Sequence, residues 1–246
     1  MRKRLSVFIY ACMIFLFFGF FAYGKEYKVV MPELPEQVLK PHKDLISAFS
    51  EISDNTFTIE VLPFARCINM IESKQADYMI PILEIPDVKK HKDLKFEYST
   101  IDVIYLAIVL YSNKIKTIDI NELKKGNPKN FNIETDRGHL EHFSFKCNAS
   151  SDIAESLKKV DSGRIDGFIL GQAAVDAVLK NFGLKNIKRQ YYDTFKIKFM
   201  IQKGQRGGEA DKLLTDMITK LKKSGRFQKI MDFSIKISEK YNDWQP

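Results

Sequence analysis

The sequence predicts an α/β protein of two similar lobes, each a mostly parallel sheet flanked by helices, joined by two crossing strands. Residues 71–80 (IESKQADYMI) and 160–169 (VDSGRIDGFI) repeat one pattern of helix end, polar turn, aspartate and apolar strand. Each copy lies among alternating strands and helices, which favour parallel pairing. Two long apolar segments, at 101–111 and 194–202, would connect the lobes. A crevice between the lobes is expected.

The first part of the chain predicts a βαβαβ unit. FTIEVL, at 57–62, alternates apolar and polar residues and stops at Pro63, as a half-buried strand does. Leu45 and Phe49 lie on one face of an amphipathic segment, which indicates a helix. Strands are expected at 27–31, 57–62 and 78–82, and helices at 43–52 and about 65–73. Such a unit calls for parallel strands with right-handed crossovers.

The pattern restarts after a polar, lysine-rich segment at 112–128 that contains a short helix near 120–124. Strands are predicted at 131–135, 143–147, 166–170, 186–191 and 194–202, a short helix after the R-G-H turn, and further helices at 152–161 and 172–182. Gly183 would occupy the C′ position of the last of these helices.

Two amphipathic helices close the chain, the first ending at Gly225 and the second running from Phe227 to about Tyr241. The first part of the chain lacks enough helices to cover both sheet faces, and these two supply them. We therefore expect a discontinuous lobe 1 at 25–111 and 197–246, and lobe 2 at 112–196.

The N-terminal segment has the pattern of a secretory signal peptide. Arg2, Lys3 and Arg4 precede an apolar run of about 17 residues, and small residues follow at 22–24. Cleavage near Gly24 is expected, so that residues 1–24 are removed and the protein is exported to the periplasm. An uncleaved membrane anchor is the alternative, since the run is at the short limit for spanning a bilayer.

The composition of the chain indicates which classes of partner, metal site and cofactor are not expected. The formal charge is +8, but the lysines are spread along helix faces, so no nucleic-acid partner is indicated. A monomer is expected. Outside the signal segment, Cys67 and Cys147 are interpreted as two buried free thiols. His139 and His142 lack a nearby ligand set, which favours surface histidines over a metal site. No cofactor or common hydrolase motif is found.

Four local motifs resemble one family. LPFARCINMIESKQADYMIPI (62–82), EYST (97–100), DSGRIDGFI (161–169) and KKSGRFQKIMD (222–232) are similar in order and spacing to elements of the extracellular solute-binding proteins of family 3. The resemblance spans almost all of the chain after the signal segment. It implies the type II periplasmic-binding fold.

Two departures from the family pattern concern the ligand. Amino-acid binders of that family grip the ligand carboxylate with an arginine, but this chain has Pro86 and Asp87 in that region. They hold the ligand ammonium with an aspartate, where this chain has Gly171 followed by Gln172. A buried zwitterion needs both charges paired. The ligand is therefore not expected to be a free α-amino acid.

Candidate ligand-binding residues lie beyond the carboxyl ends of the predicted strands, where ligands bind in doubly wound folds. Arg137 and Gly138 are favoured because arginine supplies a planar donor fork and glycine permits close backbone approach. Arg66 has an alternative as a partner of Glu33, and Phe64 as a core residue. The full set is Glu33, Phe64, Arg66, Pro81, Tyr98, Ser99, Thr135, Arg137, Gly138, His139 and Gln172. Asp77 and Asp166 of the repeat are interpreted as turn residues.

The resemblance implies a periplasmic solute-binding protein, without enzymatic activity, that closes its lobes on a small polar ligand and is read by an ABC-transporter permease or a membrane sensor. Hinges would lie near 111–113 and 193–196. One alternative is an exported enzyme of the cyclohexadienyl-dehydratase type, with Glu33 as the first candidate for its base. Another is a stand-alone sensory module.

Overall fold

The computed structural model describes residues 24–127, 129–238, 240–242 and 244–246. The predicted signal peptide, apart from Gly24, lies outside these residues. Within the described part of the chain, no helix has both the length and the apolar character needed to cross a membrane.

Among the described residues, nine strands form a single mixed sheet in the order β2-β1-β3-β9-β5-β8-β6-β7, and β4 also pairs with β9. The strands are β1 (Glu26–Pro32), β2 (Thr56–Leu62), β3 (Tyr78–Leu83), β4 (Phe96–Tyr98), β5 (Ile104–Asn113), β6 (Ile133–Asp136), β7 (Asn148–Ser150), β8 (Gly167–Gly171) and β9 (Ile187–Gln202). We call β1–β4 the first half of the sheet and β6–β8 the second half.

Helices cover the sheet, and two short 3₁₀ helices lie at Val88–Asp93 and Arg137–His142. The α-helices are α1 (Glu36–Ile52), α2 (Phe64–Glu72), α3 (Ile120–Lys124), α4 (Ile153–Asp161), α5 (Gln172–Leu179), α6 (Glu209–Lys223) and α7 (Arg226–Ser238). Helix α1 begins seven residues before its predicted start, with Pro41 inside it. The sequence does not predict the part of the helix before Pro41, because proline normally ends a helix.

Each half of the sheet has the predicted parallel pairing. Strand β1 pairs in parallel with β2 and β3, and β6 pairs in parallel with β7 and β8. Strands β5 and β9 run antiparallel to each other between the halves. The two strands predicted at 186–191 and 194–202 are one continuous strand, β9, with a register shift opposite Ile108 and Val109.

The repeated aspartates make the same contact in both halves. The Asp77 amide donates to the Lys28 carbonyl (2.9 Å), and its carboxylate accepts the Lys28 amide (2.8 Å). Asp166 makes the corresponding pair of bonds with Asn132, both 2.8 Å long. Each aspartate thus ties the start of one strand to the start of its parallel neighbour. The sequence repeat is therefore a structural repeat, and its aspartates are turn residues.

Two predicted elements are wrong. The strand expected at 143–147 is absent, and the neighbouring strand β7 begins at Asn148. The side chains of Phe143 and Phe145 instead make edge-to-face contacts with the ring of Tyr192 in the core. The helix expected at 172–182 ends at Leu179, so Gly183 lies beyond its cap. At 143–147 the alternation of apolar side chains reflects their burial in the core and not strand pairing.

The last two helices cover the first half of the sheet. Leu214 and Met217 of α6 and Met231 of α7 belong to the same buried cluster as Val29 of β1 and Leu45 of α1. This packing agrees with the prediction that the C-terminal helices cover the sheet of the first lobe. The residue boundaries of the two lobes stay a prediction.

The two cysteines are buried and free, as expected. Burial raises the pKa of the Cys67 thiol to about 11 and that of Cys147 to about 12. Both are therefore protonated at neutral pH and act as small apolar side chains.

Candidate functional site

A cavity of about 100 Å³ lies between the two halves of the sheet, at the carboxyl ends of β1 and β8. It is walled by five strands, by helices α1, α2, α5 and α7, and by the 3₁₀ helix at Arg137–His142. The lining side chains are mainly apolar and come from Pro32, Leu34, Val38, His42, Phe64, Pro81, Leu83, Ile104, Leu106, His139, Leu170, Gly171, Ala173, Ala174, Ile197, Ser234, Ile237 and Ser238. This is the position where doubly wound folds bind ligands.

The two halves touch across the mouth of this cavity. The ring of Phe64, at the start of α2, lies 5.6 Å from the ring of His139 in the second half. Gly138 lies directly beneath that ring: a Cβ atom there would be 2.4 Å from Phe64 Cε1. The Gly138 amide donates to Asp136 Oδ1 at 2.8 Å, which fixes the turn. Glycine at 138 therefore permits the contact between the halves.

Two polar contacts reinforce the approach of the halves. The buried ring of His142 places Nε2 2.9 Å from the carbonyl oxygen of Leu83 in β3, to which it donates. Lys90 Nζ lies 3.0 Å from both the carboxylate and the carbonyl oxygen of Glu141. The expectation that His142 is a surface residue is wrong, because it is buried between the halves. Its pKa is lowered to about 3, chiefly by burial.

A larger side chain at position 138 should hold the two halves of the sheet apart. In Gly138→Val the new side chain overlaps the Phe64 ring, and overpacking of this kind costs about 1–3 kcal/mol. We expect a larger radius of gyration in small-angle X-ray scattering than for the unmodified protein. The double variant Gly138→Val, Phe64→Ala supplies the missing space and should restore the compact form. An unchanged radius in the single variant, or no recovery in the double variant, contradicts this assignment.

His42 lines the cavity and has a buried ring nitrogen without a hydrogen-bond partner among the described residues. It lies on α1, is 2 % exposed, and its Nδ1 is 2.9 Å from the carbonyl oxygen of Val38. A carbonyl only accepts, so Nδ1 carries the proton and Nε2 has a lone pair. Burial lowers the pKa of His42 to about 4, which keeps the ring neutral at pH 7. Nε2 has no hydrogen-bond partner in the described part of the chain.

Ser234 on α7 is the second polar group of this kind. It is 3 % exposed, and its Oγ is buried without a hydrogen-bond partner among the described residues. Both Ser234 and His42 line the same cavity. Buried polar atoms are nearly always hydrogen-bonded in native proteins, so an unpaired atom calls for an explanation. Here two such atoms occur in one apolar cavity.

The structure brings Phe64, Pro81 and His139 of the predicted set together in the cavity wall. Three charged candidates, Glu33, Arg66 and Arg137, are exposed and do not line it. Arg66 lies on the outer face of α2, beside a separate surface depression. The first turn of α2 points its third residue outward, a direction that the order of residues alone does not reveal.

Four predicted residues are bound into the backbone instead. The Tyr98 hydroxyl accepts the Ile85 amide (3.3 Å), and Ser99 Oγ accepts the Phe199 amide (3.2 Å). Thr135 Oγ1 donates to the Ile169 carbonyl at 2.7 Å. The Gln172 side chain donates to the carbonyl oxygens of Ile237 (2.8 Å) and Lys240 (2.6 Å). Their polar atoms thus serve the fold.

Gln172 belongs to a buried polar cluster that holds the C-terminal residues. Its Oε1 lies 3.4 Å from Arg189 Nη2, which also pairs with Asp176 Oδ2 at 2.8 Å. Arg189 Nη1 donates to Asn242 and to the carbonyl oxygen of Trp244. This cluster lies behind α5, outside the cavity wall.

His42 and Ser234 were not predicted as site residues, although each is marked by a pattern in the sequence. His42 falls between Leu39 and Leu45 on the apolar face of α1. Ser234 follows Phe227 and Met231 on the buried face of α7. A polar residue on an otherwise apolar helix face is the pattern that marks both.

Among the described residues, no group of three or more His, Cys, Asp or Glu side chains is arranged to hold a metal ion. His139 and His142 stack with ring centroids 5.0 Å apart, and His139 Nδ1 lies 3.3 Å from Asp136 Oδ1.

No family model matches the chain, and no curated protein matches it in sequence. Solved structures do match. The ligand-binding core of GluR0 from Nostoc punctiforme, in complex with L-glutamate, has a TM-score of 0.64 at 13% identity, covering 84% of this chain and 97% of that one. The ancestral amino acid-binding protein AncCDT-1, a precursor of cyclohexadienyl dehydratase, has a TM-score of 0.62 at 16% identity, covering 84% and 93%.

A chain from the glutathione import system of Streptococcus mutans, which comprises GshT and the cystine ABC importer TcyBC, has a TM-score of 0.62 at 15% identity, covering 89% of this chain and 98% of that one. Identities this low show the fold alone. The chain therefore has the two-lobed α/β fold of type II periplasmic-binding proteins, as the sequence predicted.

Proposed function

We propose that this chain, which has the type II periplasmic-binding fold, is an exported solute-binding protein that closes on a small molecule and delivers it to an ABC-transporter permease. The observation that carries the proposal is the cavity between the two halves of the sheet, closed over by Phe64 and Gly138. A clamp of this shape buries its ligand on closing and presents one surface to a partner in the closed form only. Export with cleavage near Gly24 is part of the proposal.

The ligand is not a free α-amino acid. None of the residues that line the cavity is Asp, Glu, Lys or Arg. A zwitterion brought into that wall would leave two unpaired charges in an apolar medium, which is strongly unfavourable. Asp87, which stands near the position of the family's arginine, caps a 3₁₀ helix by accepting the Lys89 amide at 3.0 Å. The same wall does not favour any other ligand with a formal charge.

The dehydratase alternative is supported by the fold match to AncCDT-1, an amino acid-binding precursor of cyclohexadienyl dehydratase, but the proposed catalytic base does not support it. Glu33, the first candidate for a catalytic base, is exposed and outside the cavity wall. A base must come within hydrogen-bond reach of the proton that it removes. We expect the purified protein not to turn over prephenate or arogenate.

Ligand-induced closure tests the proposal. The protein, purified after expression of the full chain, would be screened by small-angle scattering with the twenty amino acids and with a set of small uncharged compounds. We expect an uncharged compound to lower the radius of gyration of the unmodified protein, and no amino acid to do so. Compaction by a standard amino acid at micromolar concentration contradicts the ligand assignment. No compaction by any compound of the set contradicts a solute-binding role.

A further inference from the structure

We infer that the cavity binds a small uncharged alcohol or phenol, whose hydroxyl donates to Nε2 of His42 and accepts from Oγ of Ser234. The inference deepens the proposed function and rests on it for its biological meaning. Its chemistry follows from three features of the cavity: the wall, the two unpaired atoms and the volume.

The wall selects an uncharged, mainly apolar body. Leu34, Leu83, Leu106, Leu170 and Ile237 surround the space without any ionisable carboxylate or ammonium group among the lining residues. An ion entering it would lose its hydration and gain no opposite charge. An aliphatic or aromatic ring or chain would gain the free energy of apolar burial.

The two polar atoms select a hydroxyl group. Nε2 of His42 is a lone-pair acceptor, because Nδ1 already donates to Val38. It therefore needs a donor. Ser234 Oγ has both a proton and lone pairs. A hydroxyl donates one bond and accepts another, so it satisfies both atoms, whereas an ether or ketone offers no proton to His42.

The volume limits the size of the ligand. A cavity of about 100 Å³ is smaller than an engineered apolar cavity of roughly 150 Å³ that holds benzene. A single ring or a short aliphatic chain therefore approaches the limit, unless the halves open slightly. Two polar atoms are also the fewest with which an ordered water is held. Water as the sole occupant is accordingly an outcome of the test.

Calorimetric titration with phenol, benzene, anisole and benzoate tests the assignment. These probes share one ring and differ in donor, acceptor and charge. We expect phenol to bind about tenfold more tightly than benzene or anisole, as one or two hydrogen bonds to buried atoms allow. Benzoate and phenylalanine should not bind. Equal binding of phenol and benzene, or tighter binding of benzoate, overturns the inference.

Two variants place the hydroxyl. Ser234→Ala and His42→Leu each remove one unpaired atom with little change in side-chain volume. We expect each to weaken phenol binding roughly fivefold to tenfold and to leave benzene binding unchanged. Ser47→Ala is the matched control, because Ser47 is exposed on α1 and its Oγ donates to the Lys43 carbonyl at 3.1 Å. Loss of phenol binding in the control, or none in the two variants, overturns the inference.

The thermal stability of the unliganded protein gives a second test, in which Ser234→Ala is not expected to weaken the protein. Ser234→Ala removes a buried hydroxyl that lacks a partner, so its thermal midpoint should equal or exceed that of the unmodified protein. A clearly lower midpoint together with no phenol binding indicates a bound water alone and overturns the inference. If phenol binds without compacting the protein, the proposed transport role fails and the ligand chemistry stands. If a charged solute compacts the protein, the proposed ligand chemistry fails and the transport role stands.

Discussion

Replacing Arg189 with alanine should lower the free energy of unfolding by about 3–5 kcal/mol. The Arg189 side chain is buried, and its Nη2 pairs with Asp176 Oδ2 at 2.8 Å. The Tyr111 hydroxyl donates to the other carboxylate oxygen at 2.6 Å. Without the guanidinium, a nearly buried carboxylate loses the positive charge with which it is paired. Breaking a buried pair costs far more than the pair contributes, because an uncompensated charge stays behind.

Urea unfolding monitored by circular dichroism measures this loss. Arg164→Ala is the control, since Arg164 is exposed, and it should change stability by less than about 0.5 kcal/mol. The double variant Arg189→Met, Asp176→Leu removes both charges and should recover most of the loss. A decrease below about 1 kcal/mol in Arg189→Ala would show that the carboxylate finds another partner or water.

The same substitution has a local readout. Trp244, the single tryptophan of the chain, lies 5.2 Å from the Arg189 guanidinium, which also donates to its carbonyl oxygen. We expect its fluorescence emission to shift to longer wavelength in Arg189→Ala before any urea is added, because the C-terminal residues lose their anchor. The shift should be absent in Arg164→Ala.

Acid should destabilise the protein between about pH 6.5 and pH 4 through His42, by about 2 kcal/mol at pH 5 and about 3 kcal/mol at pH 4. Burial lowers the pKa of folded His42 to about 4, whereas an unfolded histidine has a pKa of about 6.5. Above the higher value both states are neutral, and the residue has no effect on the pH dependence. Below it the unfolded chain takes up a proton that the folded chain cannot, so falling pH favours unfolding.

His142 acts in the same direction, since its pKa is lowered to about 3, chiefly by burial. Urea unfolding at a series of pH values tests the prediction by comparing the unmodified protein with His42→Phe. The variant should lose the His42 part of the slope, whatever its stability at neutral pH. Identical slopes for the two proteins would show that His42 is exposed or paired in solution.

Much of the fold follows from short-range patterns in the sequence. The alternation in FTIEVL and the apolar face of α6 predict their elements because burial imposes the same period on side chains and backbone. The repeat around Asp77 and Asp166 predicts the paired halves. The strand expected at 143–147 fails because Phe143 and Phe145 are buried by other aromatic rings, with no neighbouring strand to pair with.

The site was less predictable, since it depends on where long helices cross. Strand ends correctly indicate the region of the cavity, and they place Phe64, Pro81 and His139 in it. The residues that give the cavity its polar character come from α1 and α7, which are almost two hundred positions apart in sequence. Gln172 shows the converse difficulty. A buried amide after a strand end indicates a polar partner, and here that partner is the end of the chain itself.

The central place of β9 has a consequence for the order in which the protein folds. It is the last strand to be synthesised, yet it lies between β3 and β5 and supplies the pairing edge of both. A nascent chain that ends before Ile187 leaves those two strands with open edges and no stable sheet between the halves. Completion of the molecule therefore requires long-range pairing, which is slow. We therefore expect the sheet to stay incomplete until residues 187–202 have been synthesised.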